Sequence, residues 1–339
     1  MNKNYPIIIL VLLVLAVSCV PSGKVKKPYT IAFYNVENLF DTIDTPNKTD
    51  EEFLPSSEKE WNTQKYNKKI TDLAHVLSRI DTVNLPVIIG VAEIENNLVL
   101  KDLVSDPQLK KAHYKIVWED GPDTRGIDCA LLYNPEAFNV LVHEMLPVKD
   151  QVEPDFITRD ILYVKGEMGK EVFHVFVNHW PSRWGGEEAS EPKRMLAAGV
   201  LRKKVDALFA ADSMANIIII GDMNDEPGNT SLKDILMAVP NTLMPKSKQL
   251  VNLMYDDYEN ELGSYAYRGE WDQIDNIIVS GALIIKGNGL KSKLDNGFNF
   301  HEPFMEYKNN RGEISPNRTY GRSYYGGISD HFPVYMLLE

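Results

Sequence analysis

Four consecutive isoleucines, Ile217–Ile220, run straight into Gly221-Asp222-Met223-Asn224. A short, unbroken β-branched run closed by turn residues suits a strand buried on both faces, where side chains pointing either way meet apolar matter. A chain containing such a strand must supply a layer above its sheet and another below. Runs of similar strand character recur at Tyr29–Val36, Pro86–Val91, Tyr114–Val117, Cys129–Tyr133, Val172–Val177, Ile274–Val279 and Phe332–Leu338. Helical spacing predicts helices over Tyr66–Arg79 and Pro192–Ala211. The second opens on Glu191-Pro192, residues that suit a helix N-terminus. Asp41–Trp61, rich in Asp, Thr, Pro and Ser, predicts a long surface loop. Many strands with helices between them imply a two-layered β core flanked by helices, an α+β fold. No repeat or low-complexity stretch divides residues 29–339, which read as one domain.

Residues 1–18 read as a signal peptide. Lys3 supplies its positive charge, Ile7–Val17 form an apolar run too short for a comfortable transmembrane helix, and Ala16-Val17-Ser18 are small residues before Cys19. The triplet with Cys19 resembles a bacterial lipobox, whose cysteine is lipidated, although Ala16 stands where leucine is usual. An ordinary signal peptide cut nearby is the alternative. Residues 19–28 read as a tether, and the expected location is a membrane-anchored lipoprotein facing the periplasm or cell surface. With Cys19 lipidated, Cys129 has no partner, and stability must come from the core rather than a disulfide.

Polar clusters sit at the ends of the apolar runs, where a buried scaffold can hold them rigidly. They are Tyr34-Asn35-Val36-Glu37-Asn38, Ala92-Glu93-Ile94-Glu95-Asn96, Asn178-His179-Trp180-Pro181-Ser182, Gly221-Asp222-Met223-Asn224, Ile274-Asp275-Asn276 and Ser329-Asp330-His331. Each alone is a plausible turn, cap or structural histidine. Together they supply two histidines, several carboxylates and several carboxamides, an inventory suited to a hard cation and proton transfer. Zinc is poorly served, because there is no cysteine cluster or close-spaced histidine pair.

These motifs, in this order from Tyr29 to Glu339, resemble the endonuclease/exonuclease/phosphatase superfamily, the deoxyribonuclease I-like fold. The resemblance implies a four-layer α/β/β/α sandwich of two mostly antiparallel sheets and Mg²⁺-dependent phosphoester hydrolysis, with Mn²⁺ or Ca²⁺ as alternatives. It implies metal binding by Glu93, with Asn35 and Asp330 nearby. His331, oriented by Asp275, is then a candidate general base for the attacking water and His179 a proton donor to the leaving oxygen, roles open to exchange. Asp222 and Asn224 would position water and stabilise the phosphorane. His179 also sets the chain apart from the apurinic-endonuclease branch, which has tyrosine there.

Arg125 is a candidate phosphate ligand alongside Asn35, with Asp128 to orient it or to pair structurally. Glu119 is a candidate support for His179, and Glu37 and Glu95 for the groups around the site. Trp180, Trp184 and Tyr324-Tyr325-Gly326-Gly327 are weighed between core packing and a stacking rim. Histidines 75, 113, 143, 174 and 301 are read as structural. The expected substrate is a phosphodiester, foremost nucleic acid; a lipid head group or small phosphoester is the alternative. The net charge of −12 gives no footprint of tight non-specific DNA binding, which bears on affinity and not on chemistry.

Overall fold

A computed structural model describes residues 27–339; the expected signal peptide, Cys19 and the tether up to residue 26 lie outside the described residues. Two large sheets lie face to face. The first has the order β14 (Gly297–Asn299), β17 (Val334–Leu338), β1 (Tyr29–Leu39), β2 (Ile88–Ile94), β4 (Asp128–Tyr133), β3 (Lys115–Val117). The second runs β5 (Phe138–Leu146), β6 (Ile161–Met168), β7 (Glu171–His179), β8 (Asn216–Asp222), β13 (Asp275–Ser280), β10 (Leu250–Asn252), β9 (Ala238–Pro240). Two hairpins, β11 (Tyr265–Tyr267) with β12 (Glu270–Asp272) and β15 (Glu306–Lys308) with β16 (Ile314–Pro316), stand apart from them. Pairing is antiparallel except for β1 with β2, β7 with β8, and β9 with β10. The first and last strands are neighbours, with Tyr29 opposite Leu338, so the two ends of the described chain meet at one pole.

The isoleucine run explains the layering. Successive strand side chains point to opposite faces. Ile218 and Ile220 enter the core between the sheets with Ile31, Phe33, Leu131, Val175, Val177 and Val334. Ile217 and Ile219 face the other way, onto Ala197, Ala198, Leu201 and Val205 of helix α3 (Glu187–Ala211). A third core lies on the outer face of the first sheet. There Tyr34, Ile89 and Val91 meet Leu73, Val76 and Leu77 of α1 (Thr63–Ile80) and Leu100 and Leu103 of α2 (Asn97–Ser105). Three cores separate four layers, the expected α/β/β/α sandwich. At about 1.5–3 kcal/mol for each fully buried aliphatic side chain, these cores are the main source of stability. Among the described residues Cys129 is a free, buried thiol.

The sheets approach closely at Gly90, where a Cβ would lie 2.8 Å from Ile220 Cδ1. Gly90→Val should therefore lower stability by about 1–3 kcal/mol through overpacking, read as a fall in the urea midpoint. A midpoint equal to the parent's would show that the sheets can separate locally without cost.

Sequence and structure part in three places. Helix α3 begins at Glu187, not Pro192, and carries Pro192 inside it; Gly185-Gly186 and the acidic pair Glu187-Glu188 mark its true start. Asp41–Trp61 is not simply a surface loop. Trp61 is fully buried with its indole N–H donating to the Phe40 carbonyl at 3.1 Å, and Phe53 stacks on Phe40. Strands β5 and β6 were not expected: β5 is an edge strand with many exposed positions, and the apolar run Ile161–Val164 of β6 is cut short by Lys165-Gly166-Glu167.

Candidate active site

The strand ends deliver the polar clusters to one rim of the sandwich. Parallel pairing of β7 and β8 sets His179 beside Asp222, and antiparallel pairing of β8 with β13 sets Asp222 opposite Asp275. Gly221 allows the first approach, since a Cβ there would lie 2.4 Å from the Asn178 carbonyl oxygen. Asn35 comes from β1, Glu93 from β2, and His331 from the turn entering β17.

Asn35 joins the two sheets, its Nδ2 donating to Glu93 Oε1 at 3.3 Å and to Asp222 Oδ2 at 3.0 Å. Its Oδ1 accepts the Glu37 backbone N–H at 3.0 Å, which fixes the amide with Nδ2 towards the two carboxylates. His179 Nε2 lies 3.7 Å from both Glu93 Oε1 and Asp222 Oδ2. His331 Nδ1 lies 2.6 Å from Asp275 Oδ2, and its Nε2 is 3.8 Å from both Asp222 Oδ2 and Asp330 Oδ1. Both histidines, Asp222 and Asp275 are buried.

Their electrostatics differ sharply. Burial disfavours the charged form of both histidines. For His331 the neighbouring Asp275, with Asp222 and Asp330, outweighs burial and holds the pKa well above the ordinary value. For His179, Arg159, Arg125 and His331 add to burial and push it well below. These surroundings favour the protonated form of His331 and the neutral form of His179. They thereby favour the exchanged assignment of the two roles, which the sequence left open. Burial, opposed by His331 and reinforced by Asp275, raises Asp222 to about 7.

Glu93 and Asp222 both approach the Asn35 amide, with the neutral His179 ring bordering them. Two carboxylates so placed, one already pushed up in pKa, suit a hard divalent cation with oxygen ligands. Asp222, Asp275 and His331 also present ligand atoms within 4.8 Å of one another. There, however, the His331–Asp275 hydrogen bond already occupies one atom of each residue.

A cleft of about 700 Å³ opens over these groups, lined by Glu93, His179, Asp222, Asn224, Asp330 and His331 together with Arg125, Arg159 and Arg183. Asp123 steadies two of the arginines, lying 3.5 Å from Arg125 Nε and 3.3 Å from Arg159 Nη1. Arg183 Nε donates to the Asn224 carbonyl at 2.9 Å. Arg318 bridges Glu37 and Asp330 at 3.3 and 3.2 Å. Sequence reading singled out only Arg125. Arg159 precedes the unexpected strand β6, and Arg183 lies one residue past the His179-Trp180-Pro181-Ser182 motif. Nothing in the spacing of either marked it.

Several expected supports lie elsewhere. Glu119 pairs with exposed His143 at 2.8 Å and leaves His179 Nδ1 buried without a partner, so it does not buttress His179. Asp128 accepts the Gly121 N–H, and Asp123 takes the place beside Arg125. Glu37 is the exception, buried and accepting the Thr319 N–H while it supports Asp330 through Arg318, whereas Glu95 accepts the Asp41 N–H. Trp180 and Tyr324 pack into core clusters, whereas Trp184 stands in solvent at the cleft. His75, His174 and His301 bond Gln108, Tyr163 and Glu306.

Solved structures share this architecture. A Danio rerio TDP2 humanized by 14 mutations has 14% identity and a TM-score of 0.54, the match covering 92% of this chain and 99% of that one. The human Nocturnin catalytic domain, with bound sulfate, has 14% identity and a TM-score of 0.54 over 92% and 94% of the two chains. The Bacteroides thetaiotaomicron mannosyl-6-phosphatase has 17% identity and a TM-score of 0.55 over 92% and 99%. At these identities the likeness establishes the fold alone. No curated protein sequence matches the chain. The model of the endonuclease/exonuclease/phosphatase family matches residues 30–339. With that match over nearly the whole described chain, and the strand-end carboxylates and histidines gathered in one cleft, the protein belongs to the endonuclease/exonuclease/phosphatase family and is a metal-dependent phosphoester hydrolase.

Proposed function

We propose that the chain hydrolyses phosphodiesters, foremost in nucleic acid, outside the cytoplasm and with Mg²⁺ as its metal. The observation that carries the phosphodiester reading is one open cleft in which an Asp275-held imidazolium and an Asp222 carboxylate face three arginines. Bound at Glu93 and Asp222, Mg²⁺ would supply Lewis-acid polarisation of a phosphoryl oxygen. Arg125, Arg159 and Arg183 would grip the phosphate through planar, charge-assisted hydrogen bonds. Asp222 and Asn224, both lining the cleft, would orient the attacking water. His331 holds a proton at Nε2 for the charge that develops on oxygen. Neutral His179 would donate a hydrogen bond from Nε2, and Asn35 another from Nδ2.

A second reading, a small phosphoester, rests on the overall charge. The chain carries −12, and a polynucleotide beyond the cleft would gain little from such a surface. A panel of plasmid DNA, RNA, sphingomyelin, inositol phosphates and p-nitrophenyl phosphoesters, run with Mg²⁺ and with EDTA, tests both. Cutting of DNA or RNA that EDTA abolishes is the expected result. Release of inorganic phosphate with nucleic acid left intact would sink the nuclease reading.

A further inference from the structure

The loop between β7 and α3 places one residue at odds with its surroundings. Trp184 is 90% exposed, although it lines the mouth of a cleft otherwise rich in charge. An indole is a large apolar surface, and leaving it in water forfeits about 1.5–3 kcal/mol of burial. The backbone on its N-terminal side is fixed, because Arg183 is tied to the Asn224 carbonyl and lies 3.4 Å from Asp272. On its C-terminal side Gly185 and Gly186 have φ of 86° and 115°, a region that disfavours side chains, and a Cβ at either would meet nothing within 4 Å. Packing does not require these glycines. They serve the turn, in which the Gly186 N–H donates to the Arg183 carbonyl at 3.0 Å and the Gly186 carbonyl accepts from Ser190, and that turn holds Trp184 out at the cleft. The same cleft is lined by hairpin β11–β12, where Tyr267 is 54% exposed and Tyr265 lies with its ring 5.1 Å from that of His331.

We propose that Trp184, held at the cleft mouth by the Gly185-Gly186 turn, stacks on a nucleobase carried by the scissile phosphoester, with hairpin residues Tyr265 and Tyr267 lining the same subsite. An aromatic platform suits a flat π face, and Arg183 beside it would hold the adjoining phosphate. The proposal rests on the phosphodiesterase reading and adds the chemical class of its substrate. It makes Trp184 a specificity-determining residue with no part in the proton transfers.

The test compares the parent enzyme, Trp184→Ala and Trp184→Phe on thymidine 5′-(p-nitrophenyl phosphate) and on methyl p-nitrophenyl phosphate, with Mg²⁺. Stacking on a base is worth about 1–3 kcal/mol by alanine substitution, which is roughly 5- to 150-fold. Trp184→Ala should raise KM for the nucleoside ester by that factor, leave its kcat near the parent's, and leave the methyl ester untouched; Trp184→Phe should restore most of the loss. Equal effects on both esters, or none on either, would overturn the proposal. So would a Trp184→Ala defect confined to a hexose phosphate. Quenching of tryptophan fluorescence by thymidine monophosphate, expected in the parent and reduced in Trp184→Phe, reads the contact without turnover. A protein that hydrolyses neither ester yet shows this quenching would refute the phosphodiesterase reading and leave the stacking site standing. Quenching unchanged in Trp184→Phe would refute the stacking site itself.

Discussion

His331→Ala should lower kcat by about 10²- to 10⁴-fold and lower the urea midpoint as well, because it strands buried carboxylates. The ring is buried, yet its role comes from three carboxylates around it and from the 2.6 Å bond to Asp275. Alanine leaves those carboxylates facing one another with no proton to share. Near-normal turnover in the variant would remove His331 from the mechanism. Asp275→Asn isolates the electrostatic part. In the parent the folded pKa of His331 is raised, so the protonated form is complete at low pH and is lost only as pH climbs through that raised value. Withdrawing the Asp275 charge lowers the pKa, and the alkaline fall in kcat should move to lower pH. An alkaline limb that stayed in place, or moved upward, would show that the rate does not follow the proton on His331.

Arg194→Met should cost about 3–5 kcal/mol of stability, the largest single loss expected outside the cores. The side chain is fully buried in α3, with Nε 2.6 Å from Asp225 Oδ1. Its Nη1 and Nη2 reach Ser190 Oγ and the Glu187 carbonyl. Asp225 is likewise fully buried and accepts the Ser231 hydroxyl at 2.6 Å. Removing the arginine leaves a carboxylate with no counter-charge, three residues after Asp222. A double variant, Arg194→Met with Asp225→Asn, should recover most of the loss, because the stranded charge is then gone. Chemical denaturation of the three proteins gives the comparison; a single variant as stable as the parent would mean that Asp225 finds solvent or a proton without cost.

The architecture was legible where a strand is buried on both faces, because an apolar run then has no polar interruption to hide it. Ile217–Ile220 is of this kind, and residues just beyond it could be assigned to one rim with no knowledge of which strands pair. Edge strand β5 was illegible for the opposite reason: half its positions answer to water. The arginines of the cleft were illegible too. An arginine reaches its target through a long side chain, so its place in sequence says little about where its guanidinium ends. Proton ownership lay further out of reach. It depends on Arg159 and Arg125 standing near His179 while Asp222, Asp275 and Asp330 surround His331, a distribution of charge that exists only after the strands have paired. The single-residue mismatch at Glu119 has the same origin, since His143 on the edge strand captured it.

The pairing of the first strand with the last gives the enzyme a direction. Tyr29 and Leu338 lie at one pole, and Asn35 stands six residues further along β1, roughly 20 Å away at the rise of an extended chain. An attachment made through the residues before Tyr29 would therefore join the sandwich at the pole away from the reacting groups. Where that attachment is to a bilayer, its lipid head groups would sit beneath the enzyme, out of line with the reacting groups. Diffusing polymers and soluble esters would arrive from the open side. Orientation would in that case select the substrate before any side chain touched it.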